Sequence, residues 1–206
     1  MNLNSTELQQ ALQHGDLELK GQFMLGSNYT FLVEVTHEDK TYPAVYKPSR
    51  GEQPLWDFPE QSLAQREVAA YLVSESLGFH IVPFTTLRED GPYGGGSIQQ
   101  FIEYDPEYHY FTFSDDDKRL LKPVVLFDLL VNNADRKGGH VFFEDEISAP
   151  LGTRKLFAID HGICFHEEPK LRTVLWDFAG QAIPDELLAP LSSAANWHNL
   201  FEPYLS

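Results

Sequence analysis

The chain has 206 residues, 42% of them hydrophobic and 13% aromatic, enough to bury a full core as one domain or as two small lobes around a cleft. With 31 acidic residues against 15 basic ones it carries a net charge of −16, a field that repels polyphosphate backbones and anionic lipid surfaces, so no nucleic acid is expected as a partner. No stretch approaches the ~18 uninterrupted apolar residues of a membrane span; "MNLNSTELQQ" lacks the basic start and apolar middle of a signal peptide, and the single cysteine, Cys164, cannot form an internal disulfide. The expectation is a cytoplasmic protein with no integral membrane association.

In chain order, "NSTELQQALQHGDLEL" predicts a short helix with Asn4 or Ser5 as its cap, Leu8 and Leu12 at helical spacing and Gly15 as its stop. Three strands follow, over 17–24, 29–36 and 41–47, joined by "GSN" and "HEDK" as an antiparallel meander. "RGEQPLWDFPEQ" carries glycine and proline breakers and reads as an exposed loop. "SLAQREVAAYLVSESLG" is a helix with Gly78 as its C-terminal cap, and strands over 82–88 and 97–103 flank the turn "EDGPYGGG". The first hundred residues therefore read β-β-β-α-β-β.

The aromatic linker "YDPEYHYFTF" marks a lobe boundary, which divides a single 1–206 domain into residues 1–104 and 105–206. Beyond it, "SDDDKRLLKPVVLFDLLVNNAD" gives an acid-capped helical turn and an apolar helix from Pro123 to about Val131. "HVFFEDE" and "RKLFAID" read as a strand pair, and "IPDELLAPLSSAANWHNLFEPYL" as one or two terminal helices. The second half is mostly α, with a hairpin behind the motif "NNADRKGGH".

Taken alone, "DRKGGH" is a charged, glycine-rich turn. Read with three other sites it acquires a chemistry. Phosphoryl transfer needs a lysine on the phosphates, a carboxylate fixing that lysine, a carboxylate at the acceptor hydroxyl, and metal ligands from a separate element. Lys47 ends the third strand in "AVYKPS"; Glu67 lies on the following helix, where it can pair with that lysine; and the turn Gly26, Ser27, Asn28 offers backbone N–H groups and a hydroxyl to phosphate oxygens. Asp135 and His140 stand five positions apart, the spacing at which kinase catalytic loops place the acceptor-side aspartate and a metal ligand, and Lys137 stands where a lysine reaches the transferred group. Some twenty residues on, "LFAIDHG" sets Asp160 at a strand end before a glycine, the metal-binding aspartate pattern. Each alone has an ordinary structural explanation; the order of the four is the signal.

At these residues the sequence resembles the phosphatidylinositol 3-/4-kinase-like family of the protein-kinase-like superfamily, type II phosphatidylinositol 4-kinases and small bacterial kinase-like proteins especially. It is more distantly similar to actin-fragmin kinase and HipA-type kinases. "VYKPS", "REVAAYLVSESLG" with "IVPFTTL", "GSIQQFIE", "LLVNNADRKGGH" and "LFAIDHGICF" carry the resemblance, in family order from about residue 20 to 166. It implies an α+β, two-lobed protein-kinase-like fold, with an antiparallel N-lobe sheet plus one main helix and a mostly α C-lobe. It implies ATP with Mg²⁺ or Mn²⁺, Lys47 on the α/β-phosphates, Glu67 holding it, and adenine against the backbone of Gln99, Gln100, Phe101 and Ile102. Asp135 would orient or deprotonate the acceptor, Asp160 would bind the metal, and Asn133 matches an asparagine that precedes the aspartate in related loops.

The departures are specific. His140 stands where these families most often have asparagine, and imidazole suits manganese better than magnesium. His161 replaces the phenylalanine or asparagine of the "DFG" or "DNG" pattern. The cysteine-rich insert of type II lipid kinases is missing, so phosphoinositide is not carried over as substrate. The expectation is an ATP-dependent phosphotransferase acting on a small-molecule or protein hydroxyl. The alternatives are a nucleotide-binding pseudokinase with a regulatory role and a kinase-fold enzyme transferring AMP or an amino acid; a metal hydrolase built on His140, Asp160, His161 and His166 ranks below them because its spacing fits no known ligand pattern.

Overall fold

The computed structural model describes residues 3–24, 28–144, 154–193 and 197–205, and the chain divides into two units, Met1–Val68 with Phe84–Phe101 and Ala69–Pro83 with Ile102–Ser206. A sheet of five antiparallel strands forms the first: β1 (Asp16–Gln22), β2 (Phe31–His37), β3 (Lys40–Pro48), β4 (Thr85–Gly91) and β5 (Gly94–Gln100), in the order β1-β2-β3-β5-β4. Side-chain alternation sets its two faces. Phe31, Val33 and Val35 of β2, Ala44 and Tyr46 of β3 and Ile98 of β5 are buried in one cluster with Ala11 and Leu12 of α1 (Leu3–His14). Lys47 follows Tyr46 and pairs with Ser97, so it lies on the opposite face, which also carries Gln99 and Thr85.

Helix α1 begins at Leu3, ahead of the expected caps, and ends as expected before Gly15, whose N–H bonds Ala11 O at 2.7 Å. A Cβ on Gly15 would come within 2.7 Å of Thr36 O and Val35 Cγ1, so the turn onto β2 needs glycine. The last carbonyls of a helix have no partner of their own. Arg88 of β4, buried at 6% exposure, donates to Leu12 O and Gly15 O at 3.1 Å and to both oxygens of Asp90 at 2.6 and 2.7 Å. The hydrogen bond from Arg88 holds the Asp90 carboxyl below its ordinary pKa.

The β-β-β-α-β-β order read from sequence is the observed one. The second hairpin differs in extent: both arms lie three residues nearer the turn than predicted. The glycines taken for turn residues are strand residues, with Gly94 paired to Gly91 and Gly96 paired to both Arg88 and Pro48. A Cβ at Gly96 would come within 2.3 Å of Lys47 O, so glycine there is what lets β5 close on β3.

Helix α2 (Leu63–Ser76) contributes its first residues, to Val68, to the first unit and the rest to the second. Glu52 accepts from the N–H groups of Leu63 and Ala64 at 3.2 and 3.0 Å, satisfying two orphan donors of the helix start. Gly78, at φ +69, follows its C-terminal turn. Ser74, fully buried, accepts from Ile81 and Val82 N–H at 2.9 and 3.2 Å and so fixes the chain after the helix.

The core of the second unit gathers Ala70 and Val73 of α2 and Leu77 just after it with Ile81, Val82, Tyr110 and Phe113. This is why residues 69–83 group with that unit by contacts, whereas the boundary read from sequence runs at 104/105. Val124, Phe127 and Val131 from α4 (Lys122–Leu130) and its C-terminal end join the same core, together with Val141 and Phe143 of β6 (Val141–Phe143), Ala158 of β7 (Leu156–Ala158) and the buried Cys164. Strands β6 and β7 pair antiparallel, as the predicted hairpin requires. Ser114 caps α3 (Asp115–Arg119) by accepting from Asp117 N–H at 3.1 Å; α5 (Asp185–Leu188) and α6 (Trp197–Leu205) follow near the C-terminus. Among the described residues no helix is long and apolar enough to cross a membrane.

Replacing Arg88 by methionine removes charged hydrogen bonds to two carbonyls at the end of α1. Stability to urea should fall by about 1.5–3 kcal/mol, with faster amide exchange in α1; unchanged exchange there would refute the capping role.

Candidate active site

On β3, Lys47 Nζ stands 2.5 Å from Glu67 Oε1 of α2, and the side chains are 20% and 4% exposed. Strand alternation puts the lysine on the face away from α1, and the first turns of α2 bring the glutamate to it. The expected pair is therefore formed. Gly26 and Ser27 lie outside the described residues; Asn28 Oδ1 accepts from Gln53 N–H at 2.8 Å. Gln99 is buried and donates to Thr85 Oγ1 at 2.8 Å. The N–H groups of Gln100 and Phe101 bond Phe84 O and Pro43 O at 2.8 and 3.3 Å, so these two donors are already engaged within the unit, and Ile102 is buried with Phe142 and Phe157 in the second unit.

The loop after α4 is built around its buried polar residues. Asp128, on a helix whose other residues from Pro123 on are apolar, is 1% exposed, and Arg136 is 2% exposed. The two meet through Nε–Oδ2 at 2.9 Å and Nη2–Oδ1 at 2.8 Å. Burial alone would lower the Arg136 pKa, but the Asp128 carboxylate outweighs it and holds the guanidinium above its ordinary value. The remaining donors of Arg136 reach His140 O at 3.2 Å, Ile159 O at 2.8 Å and His161 Nε2 at 2.8 Å. Since arginine only donates, His161 Nε2 accepts and its ring proton sits on Nδ1.

Both asparagines of "NN" hold backbone. Asn133 donates to Asp128 Oδ1 and accepts from Asp135 N–H, each at 2.9 Å, which sets the direction of the Asp135 residue. Asn132, at φ +51, donates to His166 O and Glu168 O at 2.9 and 2.7 Å and accepts from Lys170 N–H at 2.8 Å. The loop backbone is further zipped to the segment after Asp160: Ala134 N–H to Ile163 O at 2.9 Å, Arg136 N–H to Arg172 O at 3.0 Å and Phe165 N–H to Val131 O at 2.6 Å.

On this frame, Asp135 Oδ2 pairs with Lys137 Nζ at 2.8 Å, with side chains 38% and 62% exposed. His140 Nε2 lies 3.2 Å from Asp160 Oδ2, and its Nδ1 accepts a long hydrogen bond of 3.4 Å from Lys137 N–H. Burial lowers the His140 pKa below its ordinary value; Asp160 and Asp135 act against this, Arg136 and Lys137 with it. Asp160 has φ +66, in the left-handed region that aspartate visits more readily than most residues. Among the described residues no three His, Cys, Asp or Glu side chains group as a metal-ligand cluster.

Sequence reasoning singled out Asp135, Lys137, His140 and Asp160, and these form two adjacent pairs in the second unit; it passed over Asp128, Arg136 and Asn132. The signal for them was present, since one aspartate in "VVLFDLLV" must be buried and a buried carboxylate requires a partner. Breaking the pair leaves an uncompensated buried charge, so Arg136→Met should cost about 3–5 kcal/mol in chemical denaturation. A double variant with Asp128→Leu should recover much of that loss; equal losses in the single and double variants would deny the coupling.

No profile of a known protein family matches the chain. Among solved structures it is similar to the Helicobacter pylori proinflammatory kinase CtkA, with a TM-score of 0.55 and 14% identity over 94% of this chain and 85% of that one. It aligns with hydra Fam20, solved with sugar, at a TM-score of 0.48 and 12% identity over 97% of this chain and 77% of that one. The fold is α+β and protein-kinase-like, with an antiparallel sheet in the first unit and helices α3 to α6 in the second. Protein Rv2133c of Mycobacterium tuberculosis strain H37Rv is 36% identical over 220 residues, covering 90% of this chain and 76% of that protein, and the chain belongs to the same family as Rv2133c.

Proposed function

We propose that the chain is an ATP- and divalent-metal-dependent phosphotransferase acting on a small-molecule or protein hydroxyl, with catalytic parts of the phosphatidylinositol 3-/4-kinase-like kind. The observation that carries this reading is the Lys47–Glu67 pair, a largely buried lysine held at 2.5 Å by an almost wholly buried carboxylate. Buried ion pairs seldom add net stability, because desolvation offsets their attraction. A lysine held ready in this way has an evident use on phosphate oxygens. Residues 1–206 then act as one catalytic domain, with nucleotide-binding residues drawn from 1–104 and transfer residues from 105–206.

In this mechanism Lys47 neutralises the α/β-phosphates, and Glu67 fixes its direction before ATP arrives, so little ordering remains to be done on binding. Gly26, Ser27 and Asn28 supply further donors, and adenine meets the backbone of Gln99 to Ile102 through groups other than the N–H donors of Gln100 and Phe101, which are engaged. Asp135 takes the proton of the acceptor hydroxyl as that oxygen bonds to the γ-phosphorus. The bond from this phosphorus to the β–γ bridging oxygen breaks, leaving ADP. Lys137 offsets the charge that gathers on the transferred group. Magnesium sites use one or two carboxylates, with phosphate oxygens and water completing the shell, and the 49% exposed Asp160 fits that requirement. Asp160 would hold the cation, which would supply positive charge against the phosphates.

Single-turnover conversion of labelled ATP with Mg²⁺ or Mn²⁺, with water and the chain's own hydroxyls as acceptors, tests the reading. Wild-type protein should form ADP. Asp135→Asn should slow this by at least ~10²-fold while still binding ATP, as expected for loss of a general base; Lys47→Met should impair binding as well. Binding without turnover under either metal would replace the enzyme by a regulatory nucleotide-binding module, and an AMP adduct by mass spectrometry would mean nucleotidyl transfer.

A further inference from the structure

We propose that the first unit carries a further small-molecule site on the α1 face of its sheet, and that its ligand is a planar aromatic ring bearing one carboxylate or phosphate group. The site shares no residue with the proposed phosphotransferase machinery and stands without it.

Alternation along β3 directs Tyr46 and Pro48 to the α1 face and Lys47 to the other. A cleft of about 700 Å³ lies at this end of the sheet, inside the roughly 300–1,000 Å³ of ordinary ligand pockets. Phe31 and Pro48, both buried, line it from the sheet and so place it on the α1 face. Tyr29 and Tyr93 also line it and are 59% and 48% exposed. The Tyr93 ring stacks on Phe31 with centroids 4.8 Å apart, and Tyr29 is tilted against Phe31 at 6.4 Å. Three adjoining rings, two of them open to solvent, thus offer aromatic surface to a flat apolar body.

Both sides of the cleft are held by the fold. On one, Tyr29 N–H bonds Gly51 O at 3.1 Å, and a Cβ on Gly51 would come within 2.6 Å of Tyr29 Cβ. On the other, Tyr46 OH donates to Gly94 O at 2.6 Å and accepts from Tyr93 N–H at 3.3 Å, which ties the β4–β5 turn to the sheet. A ligand entering between two anchored walls loses little affinity to ordering the protein.

The charge of the ligand follows from Arg50, the one charged residue lining the cleft. Every lysine and arginine within the five strands meets a carboxylate: Lys20, Lys40, Lys47 and Arg88 pair with Glu34, Glu7, Glu67 and Asp90. Arg50, two residues beyond β3, is exposed, and its side chain has no hydrogen-bond or ion-pair partner among the described residues, in a chain with twice as many acids as bases. The net charge of −16 disfavours anions elsewhere, so an unpaired guanidinium in a cleft without acids is where one can be held. Its planar fork matches carboxylate or phosphate oxygens, and the rings beside it match an aryl group.

Amide ¹H–¹⁵N spectra of the full chain, titrated with phenyl phosphate and with benzoate, test the site. Benzyl alcohol, a ring without charge, and inorganic phosphate, a charge without ring, are the controls. The better of the two aryl anions should bind at least ~10-fold tighter than either control, with shifts centred on Tyr29, Gly51 and Gly94, and it identifies the anion preferred. Arg50→Gln should weaken that binding by about 10-fold or more, and Tyr93→Ala by about 2–10-fold, with the remaining amides unmoved. No saturable shift, equal binding of inorganic phosphate, or shifts centred on Lys47 and Glu67 that ignore Arg50→Gln would each overturn the proposal. A chain that forms no ADP would sink the phosphotransferase reading and leave this test unaffected.

Discussion

The guanidinium of Arg136 and the carboxylate of Asp128 meet where water is excluded, and the geometry of the second unit's loops depends on them. Taking both charges out of solvent is costly, and a bidentate pair with its remaining donors satisfied is one of the few arrangements that offsets the cost. Asp128 is anchored in helix α4, and Arg136 carries that anchorage to three places: the backbone of His140, the backbone of Ile159 and the ring of His161. Asn133 carries it to a fourth, the amide of Asp135. The two loops that present Asp135 and Asp160 are therefore tied to one helix by a single polar network. Such a network is cooperative: with every member satisfied it is rigid, and with one removed the remainder is left buried and unpaired.

The first unit solves a different problem by simpler means. Here a lysine is held near one end of a strand with its long side chain ordered. Alternation along β3 puts Tyr46 into the core with α1 and Lys47 on the other face, and α2 supplies Glu67 to hold it. The supporting devices are local. Gly96 allows β5 to close on β3 beside Lys47, Glu52 satisfies the start of α2, and Arg88 satisfies the end of α1. In both units a buried carboxylate directs a cation, but Glu67 directs one that is 20% exposed whereas Asp128 directs one that is wholly internal. Under the proposed function the difference separates a side chain that would meet a ligand from one that holds the fold.

Much of this arrangement is legible in the sequence, and the limits have physical causes. Periodicity and breakers give the strand and helix order of the first hundred residues, because alternation at period two and capping glycines are local signals. The triple glycine after Tyr93 reads as a turn because glycine is a turn former; its place in a strand depends on the close approach of β3, which lies more than forty residues away in the chain. The same holds for α2, which reads as one helix yet has its residues divided between two units. At the candidate site, Lys47, Glu67, Asp135 and Asp160 are found by their order along the chain. Arg136 is hidden by its neighbours: between Asp135 and Lys137 it looks like one more surface charge, and only burial against α4 separates it from them. His140 illustrates a subtler limit, since spacing identifies the position but its contacts with Lys137 N–H and Asp160 come from the three-dimensional arrangement.

The proposed function requires that Lys47 meet phosphate and that Asp160 meet the accompanying cation. Calorimetric titration of ATP with and without Mg²⁺ tests both at once, independently of any acceptor. Binding should depend on Mg²⁺, weaken in Lys47→Met whether or not metal is present and lose its Mg²⁺ dependence in Asp160→Asn. ATP binding indifferent to both substitutions, or no binding to a folded wild-type chain, would contradict it.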